Sequence, residues 1–354
     1  MAIHSFLVPV VSAAFLWVVA ASPLPQVPAR VETEPVTSST GDTADDPAIW
    51  RNPENPSRSL ILSTDKKAGL AIHDLSGKLL SFQALGDLNN VDLRTDVMIA
   101  GSNSILVAAS DRSDKDIPRL HLFRLDPTKP TLIPIGTIAS PEGQAYGLCL
   151  HRRGKQLDAF MVYKEGVIEQ IALDLSGTTA TGKVVRRFDL KSRSEGCVAD
   201  DRTGQLYVAE DKVALWRIDT TPDRPMTPVK IADVDNVRLH KDAEGLAILP
   251  RGKNGGLLFA SSQGDNSFAV FGLPDVTYIG SFLIAGGAVD GTEDTDGIAI
   301  HPGDFGKDWP GGLFVAQDGK NRDAADEKAP QNFKLVPLAS ILGALEPDEP
   351  ARTR

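Results

Sequence analysis

Six short apolar stretches, each opening on polar and mostly acidic residues, recur about every 50 residues along this chain of 354 residues. The marker residues of the repeat are Asp46, Asp92, Tyr146, Glu195, Glu244 and Asp296. The period matches one four-stranded blade, so it predicts an all-β, six-bladed β-propeller. Equivalent positions of all blades point at one axis, where five carboxylates would meet. Because like charges repel, this convergence predicts a centre with several metal ions.

The segments between the markers read as strand, turn, strand, without a sustained helical period. One propeller domain is expected over 36–346, closed by pairing of the last strands with the N-terminal part, because an open propeller would leave two unpaired edges. Residues 338–346 are expected to form one short helix. The Pro-rich segment 22–35 is predicted to be a linker, and 347–354 a disordered tail.

Residues 1–21 form an apolar stretch that ends in small residues and is typical of a signal peptide. Because a positively charged start is missing, an uncleaved membrane anchor is the alternative. The pattern predicts a secreted or periplasmic protein that has no membrane partner after cleavage. A monomer is expected. The net charge of −10 argues against nucleic acid as a partner.

The two cysteines, Cys149 and Cys197, lie in apolar strand patterns of different repeats. A disulfide between adjacent blades would need an oxidising compartment, and buried free thiols are the expectation. A role for Cys197 as a phosphate-attacking thiolate is disfavoured by Asp200 and Asp201, which follow it closely. Neither a GxSxG elbow nor a phosphate-binding GxxxxGK[ST] loop occurs in the sequence.

Acidic residues are densest in DGTEDTDG at 290–297. An acidic turn alone is usually a solvated loop, but its repetition at blade spacing favours a calcium site, since calcium takes roughly six to eight oxygen ligands. Glu210 and Asp211 follow a strand, and Glu244 opens the next repeat. These carboxylates suit paired calcium ions, and a solvated turn is the alternative for the first two. The six histidines show no ligand spacing, which disfavours zinc.

Three basic residues, Lys66, Arg112 and Lys164, lie in polar turns after strands. Each by itself is more typical of an ordinary surface cation. Beside a cluster of cations, however, lysine and arginine at a propeller mouth suit an anionic substrate that carries phosphate groups.

Ordered motifs along the whole mature chain closely resemble those of the β-propeller phytases. The motifs that carry the resemblance are DDPAIW (45–50), STDKKAGL (63–70), NNVDLR (89–94), YKEG (163–166), EGCVADD (195–201), VAED (208–211), EGLAI (244–248), SSQGDNSFAVF (261–271), DTDGIAI (294–300), VAQDG (315–319) and QNFK (331–334). The resemblance implies a six-bladed, calcium-dependent phosphatase acting on phytate, myo-inositol hexakisphosphate.

The resemblance also implies roles for individual residues. It implies that the catalytic calcium ions are bound by Glu165, Glu195, Glu210, Asp211, Glu244 and Asp296. It implies structural or bridging calcium sites at Asp45, Asp46 and Asp290, and phosphate binding by Lys66, Arg112, Tyr146 and Lys164. Two positions depart from the family pattern, because Asp211 stands where Glu is common and Asp111 stands where Asn usually precedes Arg112.

Calcium ions at the axis would resolve a conflict, because a protein of net charge −10 should repel an inositol polyphosphate. They would cancel phosphate charge and activate a water that attacks phosphorus, with Glu195 among the catalytic groups and phytate or its calcium complex as substrate. Two other functions remain open from the residues alone. One is a calcium-dependent lactonase or esterase, and the other is a non-catalytic propeller that binds a protein or sugar.

Overall fold

The computed structural model describes residues 23–140, 143–322 and 329–346. This part of the chain forms six β-sheets and one α-helix, so the expectation of an all-β fold is confirmed. No helix within it is long and apolar enough to cross a membrane. The predicted signal peptide (1–21) and tail (347–354) lie outside the described residues.

Two short strands open the chain, β1 (Gln26–Pro28) and β2 (Val31–Glu32). Four blades follow, each an antiparallel meander of four consecutive strands. Blades 1 and 2 comprise β3 (Ala44–Trp50), β4 (Leu60–Asp65), β5 (Gly69–Asp74), β6 (Leu79–Ala84), β7 (Leu88–Ile99), β8 (Ser102–Asp111), β9 (Arg119–Asp126) and β10 (Thr131–Ala139). Blades 3 and 4 comprise β11 (Ala145–Arg153), β12 (Gln156–Tyr163), β13 (Val167–Asp174), β14 (Thr181–Asp189), β15 (Ser194–Asp200), β16 (Gln205–Glu210), β17 (Ala214–Asp219) and β18 (Val229–Asp233).

The last two blades are completed by the N-terminal strands. Blade 5 comprises β19 (Ala243–Arg251), β20 (Gly255–Ser262), β21 (Ser267–Leu273) and β22 (Thr277–Ala285), with β1 parallel to β22. Blade 6 comprises β23 (Ile298–Pro302), β24 (Gly312–Asp318) and β25 (Asn332–Pro337), with β2 antiparallel to β25. Two 3-10 turns, Pro56–Arg58 and Gln263–Asp265, lie in connecting segments.

The prediction of a linker over 22–35 is therefore wrong, whereas the expected closure by the N-terminal part is confirmed. Val27 pairs with Ile284 and Val31 with Leu335, so the segment belongs to two blades. Val27 is 1% exposed and is part of the blade 5 core. The proline-rich composition indicated a linker, but prolines are also tolerated in strands at the edge of a sheet, where β1 and β2 lie.

The first strand of each blade lies innermost. These six strands, β3, β7, β11, β15, β19 and β23, each contact the next around the ring, and β23 contacts β3. The ring is therefore closed, which confirms six blades and brings the N-terminal ends of all inner strands to one mouth of the axis.

Apolar side chains fill the wedges between blades. Between blades 5 and 6, Phe268 lies against Phe282 and Phe314 with ring centroids 5.1 and 5.4 Å apart. Burying each ring contributes about 1.5–3 kcal/mol relative to exposure. The predicted short helix is confirmed as α1 (Leu338–Leu345), which covers this cluster through Leu338 and Ile341.

The two cysteines form a disulfide that joins the inner strands of blades 3 and 4, so the expectation of free thiols is wrong. Cys149 lies on β11 and Cys197 on β15, with Cα atoms 5.9 Å apart, well within disulfide range. Each follows an axial marker, Tyr146 or Glu195, by two or three residues. The bond therefore ties together the two strands that present those markers.

Candidate functional site

Five of the six inner strands carry a β-bulge near the N-terminal end, where two residues oppose one residue of the neighbouring strand. The bulge re-aims these side chains toward the axis. The first residues of the five bulges are Asp45, Asn89, Tyr146, Glu195 and Glu244. The equivalent position of the sixth blade is Asp296, which precedes Gly297 and β23.

Two of the sequence markers are thereby corrected. Asp46 is the second bulge residue of β3, and its Oδ2 accepts a hydrogen bond of 3.1 Å from the Val91 amide. Asp92 lies beyond the bulge of β7, pairs in register with Ala108, and accepts a 2.8 Å hydrogen bond from the Leu150 amide. Asp92 also lines the axial cavity of about 370 Å³ rather than the carboxylate-rich mouth.

A glycine follows four of the axial residues because the inner strands approach each other closely there. A Cβ on Gly147 would stand 1.8 Å from the carbonyl oxygen of Glu195, and one on Gly196 would stand 1.9 Å from that of Glu244. Both distances are far below contact, so only glycine lets these backbones meet. The same packing draws the carboxylates of neighbouring blades together.

One group of charges at the mouth is centred on Lys66, which is 4% exposed. Its Nζ lies 2.6 Å from Asp296 Oδ2, 2.7 Å from Asp42 Oδ2 and 3.2 Å from Asp45 Oδ2. The second oxygen of Asp296 accepts a 2.6 Å hydrogen bond from Gln263 Nε2. The predicted phosphate binder Lys66 is thus enclosed by carboxylates in this structure.

A second group is centred on Arg193, in the turn between β14 and β15. Its Nε lies 2.7 Å from Asp211 Oδ2, and Nη2 lies 3.5 Å from Glu244 Oε1 and 3.7 Å from Glu195 Oε2. Glu195 also accepts a 2.6 Å hydrogen bond from Asn89 Nδ2. Three predicted ligands from blades 4 and 5 therefore surround one guanidinium.

Three cations surround the ring of Tyr146. The guanidinium carbons of Arg112 and Arg193 lie 5.4 and 5.6 Å from the ring centroid, and Lys164 Nζ lies 5.2 Å from it. Such cation–ring contacts are favourable at these distances. The structure thus brings the predicted phosphate binders Arg112, Tyr146 and Lys164 together.

The remaining predicted calcium ligands differ in their surroundings. Glu210, at the end of β16, accepts hydrogen bonds from Ser192 Oγ and, at 2.8 Å, from Trp216 Nε1. Glu165 is exposed in the turn after β12, where Oε2 lies 3.4 Å from the Gln144 amide. Neither shares a hydrogen bond or ion pair with the other predicted ligands in the described part of the chain.

Asp290 belongs to a separate cluster in blade 6. The fully buried Lys334 binds Asp290 Oδ1, Asn321 Oδ1 at 3.0 Å and Glu32 Oε2 at 2.5 Å, and lies 3.3 Å from Asp318 Oδ2. The other Asp290 oxygen accepts a 2.8 Å hydrogen bond from a backbone amide. The structure does not join this cluster to the axial carboxylates.

The negative charge expected beside Arg112 from Asp111 is compensated locally. Asp111 Oδ2 lies 2.9 Å from His121 Nε2, and Oδ1 accepts hydrogen bonds from the amide and hydroxyl of Ser113. Burial acts to raise the pKa of Asp111, but these hydrogen bonds outweigh it and hold the pKa below its ordinary value. Asp111 therefore shapes the turn that presents Arg112.

Burial dominates the electrostatics of the axial carboxylates. It raises the pKa of Asp45 and Glu244 well above the ordinary range, that of Asp296 to about 6 and that of Asp211 to about 7. Lys66 opposes the rise at Asp45 and Asp296, and Arg193 opposes it at Asp211, whereas repulsion from Glu195 adds to it at all four. The site thus favours any further positive charge.

Two buried oxygens at this mouth, Glu244 Oε2 and Asp211 Oδ1, have no hydrogen-bond donor. Asp45 Oδ2 and Asp211 Oδ2 have only their ion-pair contacts with Lys66 and Arg193. Hard divalent cations take such oxygen ligands, so the donor set fits calcium. Over the described ranges, no three carboxylate, histidine or cysteine side chains converge as a ready-made metal site. Lys66 and Arg193 reach between the carboxylates instead.

Sequence reasoning missed Arg193, Asp42, Asn89 and Gln263. Asn89 and Gln263 lie within the motifs already singled out, in NNVDLR and SSQGDNSFAVF, so their motif membership was an available signal. Arg193 stands two residues before Glu195 in an ordinary polar turn, and Asp42 stands in the loop before β3. Their local sequence carries no sign of the axis.

Fold and site together define a six-bladed β-propeller with buried carboxylates and a rim of cations at one mouth of its axis. The family model for Phytase matches residues 1–351. A 3-phytase from Bacillus subtilis (strain 168) is 39% identical over 327 residues, which cover 89% of this chain and 84% of that protein. The chain therefore belongs to the phytase family, which confirms the resemblance found in the sequence.

Among solved structures, the β-propeller domain of Myceliophteria thermophila Cps50 (Swd1) is similar over 83% of each chain, at 13% identity and a TM-score of 0.48. The likeness is too weak to carry an argument. The fold is defined by the six sheets and their closure into a ring.

Proposed function

We propose that the protein is a calcium-dependent phytase, which hydrolyses phosphomonoesters of myo-inositol hexakisphosphate and releases phosphate. Membership of the phytase family supports the substrate and the reaction. The observation that carries the proposal is the juxtaposition of donor-free buried carboxylate oxygens with three cations around Tyr146. The first set suits metal ions and the second suits phosphate.

Calcium would be held by the axial carboxylates, with the exposed Glu165 reaching in from its turn. The proposed ligands of the catalytic ions are Glu165, Glu195, Glu210, Asp211, Glu244 and Asp296, with Asp45 bridging. Bound calcium would neutralise phosphate charge and activate water for attack on phosphorus. Asp46 and Asp290 are proposed as structural ligands, since Asp46 caps a backbone amide of the next blade and Asp290 lies apart.

The chain's own side chains bind and orient the substrate. Arg112 offers a planar fork to two oxygens of one phosphate, and Lys164 offers a point charge to another. The ring of Tyr146 holds both cations at the mouth. Lys66, which is buried between Asp45 and Asp296, contributes its positive charge beside these carboxylates.

Glu195 occupies the centre of this arrangement and is proposed as the carboxylate on which turnover depends most. Its negative charge raises the pKa of carboxylates in both groups, namely Asp45 and Asp296 beside Lys66, and Asp211 and Glu244 beside Arg193. The hydrogen bond from Asn89 fixes one of its oxygens and leaves the other toward Arg193. A carboxylate fixed in this way can orient the attacking water, so the proposed reaction needs no covalent phosphoenzyme.

Purified protein tests the proposal by phosphate release from phytate after removal of divalent cations and again after calcium is restored. Activity that disappears and returns with calcium supports it. Hydrolysis of lactones or aryl esters without phosphate release would indicate the lactonase or esterase alternative. Binding without turnover of any of these compounds would indicate a non-catalytic propeller.

We further propose that the protein acts outside the cytoplasm, in the periplasm or after secretion, as a monomer. The apolar N-terminal stretch and the Cys149–Cys197 disulfide support an oxidising compartment. The acidic net charge supports phytate or calcium-phytate, rather than nucleic acid, as the partner. Fractionation of cells that express the full chain, followed by size-exclusion chromatography, tests both points.

A further inference from the structure

Arg193 differs from the other cations at the mouth because it contacts both the acidic residues and the ring of Tyr146. Its Nε lies 2.7 Å from Asp211, and its Nη2 lies within 3.7 Å of Glu244 and Glu195. The same guanidinium lies 5.6 Å from the ring centroid of Tyr146, where Arg112 and Lys164 also lie. One side chain therefore spans the proposed calcium ligands and the proposed phosphate binders.

The guanidinium compensates charge that the surrounding carboxylates need. The side chains of Asp211 and Glu244 are 2% exposed and that of Glu195 is 9% exposed. Buried carboxylates without a compensating charge are strongly unfavourable. Because Arg193 attracts all three, its charge substitutes for part of a divalent cation.

Arg193 is nevertheless held loosely. Only its contact with Asp211 is at hydrogen-bond distance, and its side chain is 47% exposed. Asp211 Oδ1 and Glu244 Oε2 still have no donor. The buried Lys66, which is 4% exposed between three carboxylates, has no comparable freedom. Of these two counter-cations, Arg193 is the one that can turn toward solvent without leaving the mouth.

We propose that Arg193 is a displaceable counter-cation of the acidic centre, which competes with calcium for Asp211, Glu195 and Glu244 and binds a substrate phosphate once it is displaced. The inference rests on the proposed function. Displacement needs only a turn of the guanidinium toward Arg112 and Lys164, since all three cations already surround one ring. A planar fork suits both partners, because carboxylate and phosphate each accept two parallel hydrogen bonds.

Competition of this kind predicts that the neutral variant Arg193→Gln is less stable without calcium but binds calcium more tightly. Without calcium, the variant should melt at a lower temperature than the wild type, because the buried carboxylates lose their counter-cation. At saturating calcium that deficit should disappear. Calorimetric titration should show calcium bound about 5- to 150-fold more tightly, the usual range for coupling between two sites.

The displaced guanidinium should also be visible in substrate kinetics. Arg193→Gln should raise the KM for phytate several-fold at saturating calcium, while the KM for a small aryl phosphate changes little, because only phytate offers a second phosphate. Arg193→Lys keeps the charge but not the fork and should lie between the wild type and the Gln variant in calcium affinity.

Arg112→Gln is the matched control, because Arg112 contacts the same ring but makes no ion pair with a carboxylate in the described part of the chain. It should raise the KM for phytate and leave calcium affinity unchanged. An unchanged or weaker calcium isotherm for Arg193→Gln would overturn the inference. So would a melting deficit that persists at saturating calcium, since that is the mark of a purely structural residue.

The wild-type protein separates this inference from the proposed function. If wild-type phosphate release depends on calcium and the isotherms of wild type and Arg193→Gln coincide, the role of Arg193 is wrong and the proposed function stands. If the wild type binds no calcium and releases no phosphate, the proposed function fails, and the competition fails with it.

Discussion

Replacing Asp211 by Asn should stabilise the calcium-free protein at pH 8 and destabilise the calcium-bound protein. Asp211 is 1% exposed, and burial raises its pKa from 3.8 to about 7 even though Arg193 lies 2.7 Å away. Because the folded-state pKa lies above the unfolded value, the carboxyl contributes its full stability below about pH 4 and loses it as the pH rises through about 7. At pH 8 the ionised side chain therefore opposes folding.

The size of the effect follows from the two pKa values. A rise from 3.8 to about 7 corresponds to about 4 kcal/mol of stability lost at pH 8 relative to acid. Asparagine has the same shape and no charge, so it removes this loss. Since Arg193 must then turn to Glu244 or Glu195, we expect a net gain of about 2–4 kcal/mol.

The measurement is denaturant unfolding of the cation-stripped wild type and Asp211→Asn at several pH values between 5 and 8. The difference between the two proteins should grow with pH. Comparing two proteins is necessary because His73, whose pKa burial lowers to about 4, gives an opposite slope. Its stability is present above about pH 6.5 and is lost as the pH falls, and it contributes equally to both proteins.

Calcium should reverse the order of the two proteins. Cations that bind only the folded state stabilise it by mass action, and the variant lacks one of the proposed ligands. An Asp211→Asn variant that is less stable than the wild type at pH 8 without calcium would refute the reasoning. It would mean that the ion pair with Arg193 stabilises the fold by more than burial of the carboxylate costs.

Three further predictions concern catalysis and the scaffold. Glu195→Gln should retain the fold and lose about 100-fold or more in kcat on phytate, since an amide cannot act as a carboxylate toward cations or protons. Turnover close to wild type at saturating calcium would remove Glu195 from the site. Arg112→Ala and Lys164→Ala should each raise the KM for phytate more than that for an aryl phosphate, and equal effects on both would limit these cations to the cleaved phosphate. Replacing both Cys149 and Cys197 by Ala should lower the free energy of unfolding by about 4 kcal/mol, as expected for a closed loop of 48 residues, and equal unfolding midpoints under oxidising conditions would argue against the bond.

Periodic features of the sequence determined the architecture. A marker about every 50 residues predicts six blades, because each blade must repeat the same four-strand unit to bury its faces. The same markers identified Tyr146, Glu195, Glu244 and Asp296 as axial, since equivalent positions of repeated units share one direction. The long motifs identified the family as well, because they extend over the whole mature chain.

Where the repeat is irregular, sequence alone went wrong. The pattern chose Asp92 in blade 2, but the bulge places Asn89 there, since one extra residue in a strand reverses the direction of every side chain after it. Likewise, 22–35 resembles a linker in composition, and only pairing with β22 and β25 makes two strands of it. The bond between Cys149 and Cys197 required that two inner strands lie side by side.

Contacts between blades were decided only by the tertiary structure. Arg193 is an ordinary turn residue in the sequence, and it becomes central because closure of the ring brings Asp211, Glu244 and Tyr146 around it. Closure also left Asp290 with Lys334, away from the axial carboxylates. A sequence pattern reports the direction of each side chain within its own blade. The distance between charges on different blades, and with it their pKa and their partners, exists only once the six blades have closed around one axis.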